Sequence, residues 1–324
     1  MMEKSLKDFA KDEFFAGHFA LRLCNKRLKS NGEPYLLLEI GDASGRLPAV
    51  YWGADSKEVF DEIGDSQVVF VKGVVNEYRD KLQVTINEIR PALPEELDST
   101  TLLPKGEFDF EELERRLSAK IESISDKWLS ALIRYIFDDD KTKKKYLETP
   151  AGKLWHGAYI GGLAEHSINV AILCETTAGF FPICRRDLVV AGALLHDIGK
   201  IEELSSDAYF DYTIPGRLIG HIVIGNQRIL EAISKIEGFP QALSDELSHM
   251  ILSHHGSPEM GSPVAPMTIE ACILHHSDLL EAQANAYKHI IKRDLQNPGE
   301  LSKWVKPLGG FLYIDQYRDE NGKE

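Results

Sequence analysis

A chain of 324 residues, 43% of them hydrophobic, holds enough apolar material for two globular domains. No apolar stretch approaches the ~20 residues that a membrane-spanning helix needs, so no membrane partner is expected. The formal net charge of −14 at pH 7 excludes a protein that coats nucleic acid through bulk electrostatics. A nuclease stays open, because its contacts can be few and its metals supply local positive charge. The segment Met1-Met2-Glu3-Lys4-Ser5-Leu6-Lys7-Asp8 lacks the apolar core of a signal peptide. Cys24, Cys174, Cys184 and Cys272 are scattered, form no CxxC pair and read as buried free thiols. A cytoplasmic location is expected.

From about residue 14 to 92 the chain reads as β structure. Phe15 to Leu28 is a strand, Asn31-Gly32 a hairpin signal, and Tyr35 to Ile40 the returning strand. A turn over Gly41-Asp42-Ala43-Ser44-Gly45 leads into strands over Arg46–Trp52, Val68–Val75 and Leu82–Ile89, with a short helix over Asp55–Ile63. Five strands with a helix between the third and fourth is the layout of an OB-fold barrel, with some other small barrel as the alternative. Pro91 to Pro104 is a linker rich in Pro, Glu, Ser and Thr. Helical patterns follow over Asp109–Glu122, over Asp126–Phe137 and from Tyr159 to about Arg293, interrupted where Ala208 to Thr213 suggests a small hairpin. The polar stretch Asp315–Glu324 reads as frayed.

The most informative pair is His196-Asp197, at the end of an apolar run, Leu188 to Leu195, that reads as a buried helix. Burying a charged carboxylate costs several kcal/mol unless it is paired or binds metal. His166 before the pair, and His221, His254-His255 and Asp278 after it, complete a set that reads as a metal site spread over several helices. Adjacent helical residues point about 100° apart. His196 and Asp197 therefore share one ion only if the helix end meets it, or Asp197 bridges two ions as in two-metal phosphoester chemistry. Mixed His and Asp ligands without thiolate favour Mn, Fe, Co, Ni or Zn over Ca or Mg. Among the remaining histidines, His18 and His289 read as surface residues and His249 as packing on its helix. His275 and His276 both sit just before Asp278.

The order His166, His196-Asp197, Asp278 resembles the HD phosphohydrolase superfamily, and His221 with His254-His255 resembles its two-metal branches. The whole chain resembles the YhaM-type 3′-5′ exoribonucleases, which join an N-terminal OB-fold to an HD domain. The stretches that carry this are Gly161-Gly162-Leu163-Ala164-Glu165-His166, Leu194 to Lys200, Gly216 to His221, and Leu252-Ser253-His254-His255-Gly256 with Gly261-Ser262-Pro263 after it. At His156-Gly157 the chain departs from relatives that often show two adjacent histidines. The resemblance implies a multidomain α+β protein: an OB-fold domain over 1–95, a linker and helical extension over 96–150, an all-α HD-domain helical bundle over 151–300, and a tail over 301–324. It implies a hydrolase that removes nucleoside 5′-monophosphates from the 3′ end of single-stranded RNA, sometimes DNA, using a divalent transition metal, with two ions expected and Mn first among them. His166, His196, Asp197, His221, His254, His255 and Asp278 would hold metal, and it is this resemblance that ranks Asp278 above His275 as a ligand. Lys200, three residues after Asp197, is the candidate to hold a non-bridging phosphate oxygen. His156 and Arg217 are placed near substrate.

An OB-fold binds single strands through a basic groove and aromatic faces. Candidates here are Tyr35, Tyr51, Trp52 and Tyr78, with Arg22, Lys26, Arg27, Arg79 and Lys81 nearby; Tyr78 and Arg79, in the turn before the last strand, are preferred. Two rival readings are a phosphohydrolase or phosphodiesterase acting on a small nucleotide, which leaves the barrel unexplained, and a non-catalytic nucleic-acid-binding protein, which leaves a complete ligand set unexplained. Homo-oligomerisation is left open.

Overall fold

Alternation of apolar and polar residues builds the first unit. A computed structural model describes residues 5–318 apart from 65, 79–80, 94–95, 97–101, 105, 107, 153–156, 207–208 and 296–298. Strands β1 (Phe14–Leu28), β2 (Pro34–Asp42), β3 (Gly45–Tyr51), β4 (Val68–Tyr78) and β5 (Lys81–Pro91) close a barrel in the order β1-β2-β3-β5-β4. The neighbours pair antiparallel except β3 and β5, which run parallel. In β2, Leu36, Leu38 and Ile40 point inward at period two and are fully buried, as a half-buried strand requires. They meet Val69, Val71, Val84 and Ile86, and helix α1 (Ser56–Ile63) adds Val59 and Ile63 to that core. The turn between β1 and β2 falls at Asn31-Gly32, where Gly32 takes φ +85° and the Asn31 side chain accepts from the Glu33 N–H at 3.1 Å.

The chain forms two compact units, Met1–Lys105 with Ser205–Asp211, and Gly106–Leu204 with Tyr212–Glu324. The second is helical: α2 (Phe110–Glu122), α3 (Lys127–Phe137), α4 (Asp140–Glu148), α5 (Gly162–Ala178), α6 (Arg186–Leu195), the short α7 (Lys200–Glu203) and α8 (Ile214–Leu218), α9 (His221–Ile233), α10 (Gln241–Ser253) and α11 (Ile269–Asp294). Strands β6 (Leu204–Ser206) and β7 (Phe210–Tyr212) pair where the sequence suggests a hairpin. Asp109, Asp126, Asp139 and Thr268 cap α2, α3, α4 and α11 by accepting backbone N–H bonds from the first turn, each worth ~1 kcal/mol.

Every residue from Leu188 to Leu195 in α6 is buried, so this helix has no solvent face. It packs on α5, α10 and α11, and the helices over 110–148 contribute Leu113, Leu117, Leu132, Ile133 and Tyr146 to the same core. The Tyr146 hydroxyl donates to the Leu194 carbonyl at 2.8 Å, fixing the end of α6 just before His196. One expectation fails here: Cys272 is exposed on the outer side of α11, whereas Cys174 is buried and Cys24 and Cys184 are half-buried. An apolar neighbourhood in sequence does not say which way a helical side chain turns. Among the described residues, no helix is long and apolar enough to cross a membrane.

Candidate metal centre

Helix α6 ends at Leu195, so His196 and Asp197 sit in the turn that follows rather than on a helix flank. That turn lies tight against the start of α9. A Cβ at Gly199 would stand 2.1 Å from the His221 carbonyl oxygen and 2.6 Å from the Gly225 nitrogen, so only glycine permits the approach that brings His221 to Asp197.

The two oxygens of Asp197 face two different groups. Oδ2 lies 3.3 Å from Nε2 of His196 and 3.7 Å from Nε2 of His166, which in turn is 3.1 Å from Oδ1 of Asp278. Oδ1 lies 3.4 Å from Nε2 of His221 and 3.7 Å from Nε2 of His254. Ligating atoms of His221, His254 and His255 converge within 4.8 Å, as do those of His166, His196 and Asp197, and those of His196, His254 and Asp278. His196 and His254 are fully buried.

The tautomers follow from the partners. Nδ1 of His196 faces the Ala193 carbonyl at 2.8 Å, that of His254 the Ile251 carbonyl at 2.6 Å, and that of His255 the Met260 carbonyl at 3.1 Å. Nδ1 of His166 faces Glu281 Oε2 at 2.5 Å, and Nδ1 of His221 faces Glu203 Oε1 at 3.0 Å. Each partner is an oxygen acceptor, so each Nδ1 carries a proton, and whenever the ring is neutral the Nε2 lone pair is left for the centre. Asp197 Oδ1, His221 Nε2 and His254 Nε2 are buried without a hydrogen-bond partner, close together and unable to satisfy one another. A divalent cation satisfies all three, so the donor set fits a metal.

Electrostatics agree with a site built for positive charge. Burial opposes ionisation of Asp197 and Asp278, but Lys200 and His196 for the first, and His166 for the second, hold both carboxyls well below the usual range. Burial likewise opposes charge on His166, yet its bonds to Asp278 and Glu281 outweigh it and push the imidazole up to about 10. Burial keeps His254 and His255 below the ordinary histidine value, in the neutral form that ligates. Lys200 donates to Asp197 Oδ2 and to the Ala151 carbonyl, each at 2.6 Å; burial lowers its pKa, and the Asp197 charge more than reverses that.

Asp197, Lys200, His221, His254, His255 and Asp278 line a cavity of about 540 Å³. His166 and His196 are buried and outside that lining, with their Nε2 atoms 3.7 and 3.3 Å from Asp197 Oδ2. Arg217 is outside the lining and stands over the Tyr212 ring at 5.6 Å from its centroid. Tyr78 is on the barrel unit, exposed at the end of β4. Arg79 and His156 lie outside the described residues. Of the other barrel aromatics, Tyr51 is buried with its hydroxyl on Asp55, while Tyr35 stacks at 4.7 Å on Trp52, which is half exposed.

Sequence reasoning missed Glu203 and Glu281. Both are buried and anchor the rings of His221 and His166. A signal exists for Glu281, three residues after Asp278 and so on the same helix face; Glu203 follows Asp197 by six residues across a turn and carries none. His275, ranked below Asp278 as a ligand, instead places Nδ1 on the His254 carbonyl at 2.8 Å, its ring packed against Gly256 at φ +88°.

Comparison with known proteins agrees with this architecture. Residues 163–283 match the HD domain family, and residues 21–92 match the OB-fold nucleic acid binding domain family. The molecule is therefore an HD-domain protein with an N-terminal OB-fold barrel. It is 34% identical to the 3′-5′ exoribonuclease YhaM of Listeria welshimeri over 311 residues, 94% of this chain and 96% of that protein. The protein of that name from Bacillus licheniformis is 34% identical over 302 residues, 90% of this chain and 91% of its own, and that from Shouchella clausii is 31% identical over 314 residues, 95% of each. The chain belongs to the YhaM exoribonuclease family.

Proposed function

We propose that this chain is a metal-dependent 3′-5′ exonuclease that hydrolyses single-stranded RNA, and DNA as a second substrate, to nucleoside 5′-monophosphates. The observation that carries the reading is the position of Asp197 between two histidine groups, with one carboxylate oxygen turned to each. His166, His196 and Asp278 would hold one divalent ion, His221, His254 and His255 a second, and Asp197 both. Bound ions of this kind, Mn first among them, supply Lewis acidity toward phosphate oxygens and acidify water.

Charge supports two ions. Among the described residues, and with the ligating histidines neutral, Asp197, Asp278, Glu203 and Glu281 face the Lys200 cation, a formal −3 that two dications turn to +1. A phosphodiester brings −1 and leaves the loaded site neutral. Lys200, held charged by Asp197 inside the cavity, is placed to take a non-bridging phosphate oxygen. Water attacks phosphorus and the P–O3′ bond breaks. The shortened strand keeps a 3′-hydroxyl, and the released nucleotide carries the water oxygen on its 5′-phosphate.

In this reading residues 1–95 hold the strand, with Tyr78 and Arg79 as contacts, 96–150 form the linker and helical extension, 151–300 the catalytic HD domain and 301–324 the tail. Its test is a single-stranded RNA labelled at the 5′ end and incubated with protein and Mn²⁺. A ladder shortening from the 3′ end, absent with Asp197→Ala, is expected. No shortening of RNA or DNA with any of several divalent metals would overturn it.

A further inference from the structure

The cavity has a second chemistry that the metal-facing residues do not use. Beside the His and Asp groups it is walled by Leu204, Tyr212, Met260, Leu279 and Ala282. Tyr212 is 41% exposed and Met260 66%, so their apolar surface is open to solvent at the rim. These residues are tied to the metal-facing groups. Leu204 follows Glu203, which holds His221; Met260 offers its carbonyl to His255; Leu279 follows Asp278, and Ala282 is one helical turn further on. A phosphate at the polar end therefore carries its nucleoside along this wall.

We propose that the apolar wall, with the Tyr212 ring as its flat face, seats the base of the strand's 3′-terminal nucleotide without reading which base it is. This rests on the exonuclease reading. The wall offers stacking and apolar contact, which every base accepts. Among the described residues lining the cavity there is no Asn, Gln, Ser, Thr or Arg, and the Lys200, Asp and Glu side chains there are turned to the metal-facing groups. Several lining side chains already hold partners within the protein: Lys200 on Asp197 and the Ala151 carbonyl, Glu203 Oε1 on His221, and His275 Nδ1 on the His254 carbonyl. The Arg217 guanidinium lies over the Tyr212 ring and braces it. At about 540 Å³ the cavity falls within the range of small-ligand sites, roughly 300–1,000 Å³.

The experiment is single-turnover cleavage, with Mn²⁺, of one RNA strand ending in A, C, G, U or an abasic ribonucleotide. Wild-type protein is expected to remove the four base-bearing ends at rates within about threefold of one another and the abasic end about tenfold more slowly, from loss of stacking. Tyr212→Ala should slow the base-bearing ends about tenfold and the abasic end hardly at all, because ring and base act as one pair. Tyr212→Phe should restore the wild-type pattern. Preference for one base by more than about tenfold would show a pocket that reads base edges and would overturn the inference. So would an abasic end removed as fast as the others, or Tyr212→Ala slowing all five ends equally. These outcomes leave the exonuclease reading standing. Wild-type protein that shortens no strand overturns that reading and this inference with it.

Discussion

Glu281 Oε2 lies 2.5 Å from Nδ1 of His166, on the side of the ring opposite Asp278. A buried carboxylate there fixes the tautomer, orients the ring and makes its Nε2 more basic, as carboxylates behind metal-bound histidines do. Glu203 does the same for His221. Each half of the centre thus has one histidine backed by a carboxylate and at least one backed by a backbone carbonyl.

Glu281→Gln should weaken Mn²⁺ binding by about 10- to 100-fold while the protein stays folded, read by titration calorimetry alongside circular dichroism. The wild-type affinity should also rise with pH. The metal-free His166 imidazole is held protonated up to about 10, and the ligating form is neutral, so binding releases that proton throughout the range below. An affinity independent of pH between 6 and 9, a span chosen below that value, would contradict this account of His166.

Lys200 is expected to act on substrate rather than on metal. Its side chain is only 12% exposed, which sets it apart from a solvated helix-end lysine. Lys200→Met should lower kcat by about 100-fold, the scale of losing one donor to developing charge, with metal content unchanged by elemental analysis. A fall in kcat that is matched by loss of metal would make it a structural counter-ion instead.

Tyr146→Phe removes the hydroxyl that donates to the buried Leu194 carbonyl. The expected cost is about 1–3 kcal/mol of stability in the helical unit, read by urea denaturation.

On the barrel unit, Arg90 grips Glu96 with two bonds of 2.8 Å, and the Leu93 N–H adds a third at 2.9 Å. Those bonds, the Arg90 pair first, pull the Glu96 carboxyl from 4.5 down to about 2. A folded-state pKa below the unfolded one stabilises above the unfolded value, and that contribution fades as pH falls through the folded value. Glu96→Gln should therefore destabilise the protein at pH 7, with the difference from wild type shrinking below 4.5 and vanishing near 2. A difference that persists at the acid end would assign the effect to packing.

The barrel was legible because its strands are short, alternate in polarity and are separated by turn residues such as Asn31-Gly32. The helical half was legible as helix, and the convergence of His166, His196, Asp197, His221, His254, His255 and Asp278 could be anticipated because buried His and Asp in apolar helices need partners. What stayed hidden depends on rotation and on turns. Cys272 faces outward on α11, Glu203 reaches His221 across the close approach of Gly199 to the start of α9, and Tyr212 enters the cavity wall from a hairpin. None of these placements leaves a periodic trace.

The central claim is that one carboxylate, Asp197, serves two ion positions. Counting Mn²⁺ per chain after equilibrium dialysis tests it most directly. The account predicts two ions for wild-type protein, one each for Asp278→Asn and for a His221→Ala/His254→Ala double variant, and a loss of both sites' affinity for Asp197→Asn, all in folded protein. A single ion in wild-type protein, or Asp197→Asn keeping one site at wild-type affinity, would contradict it.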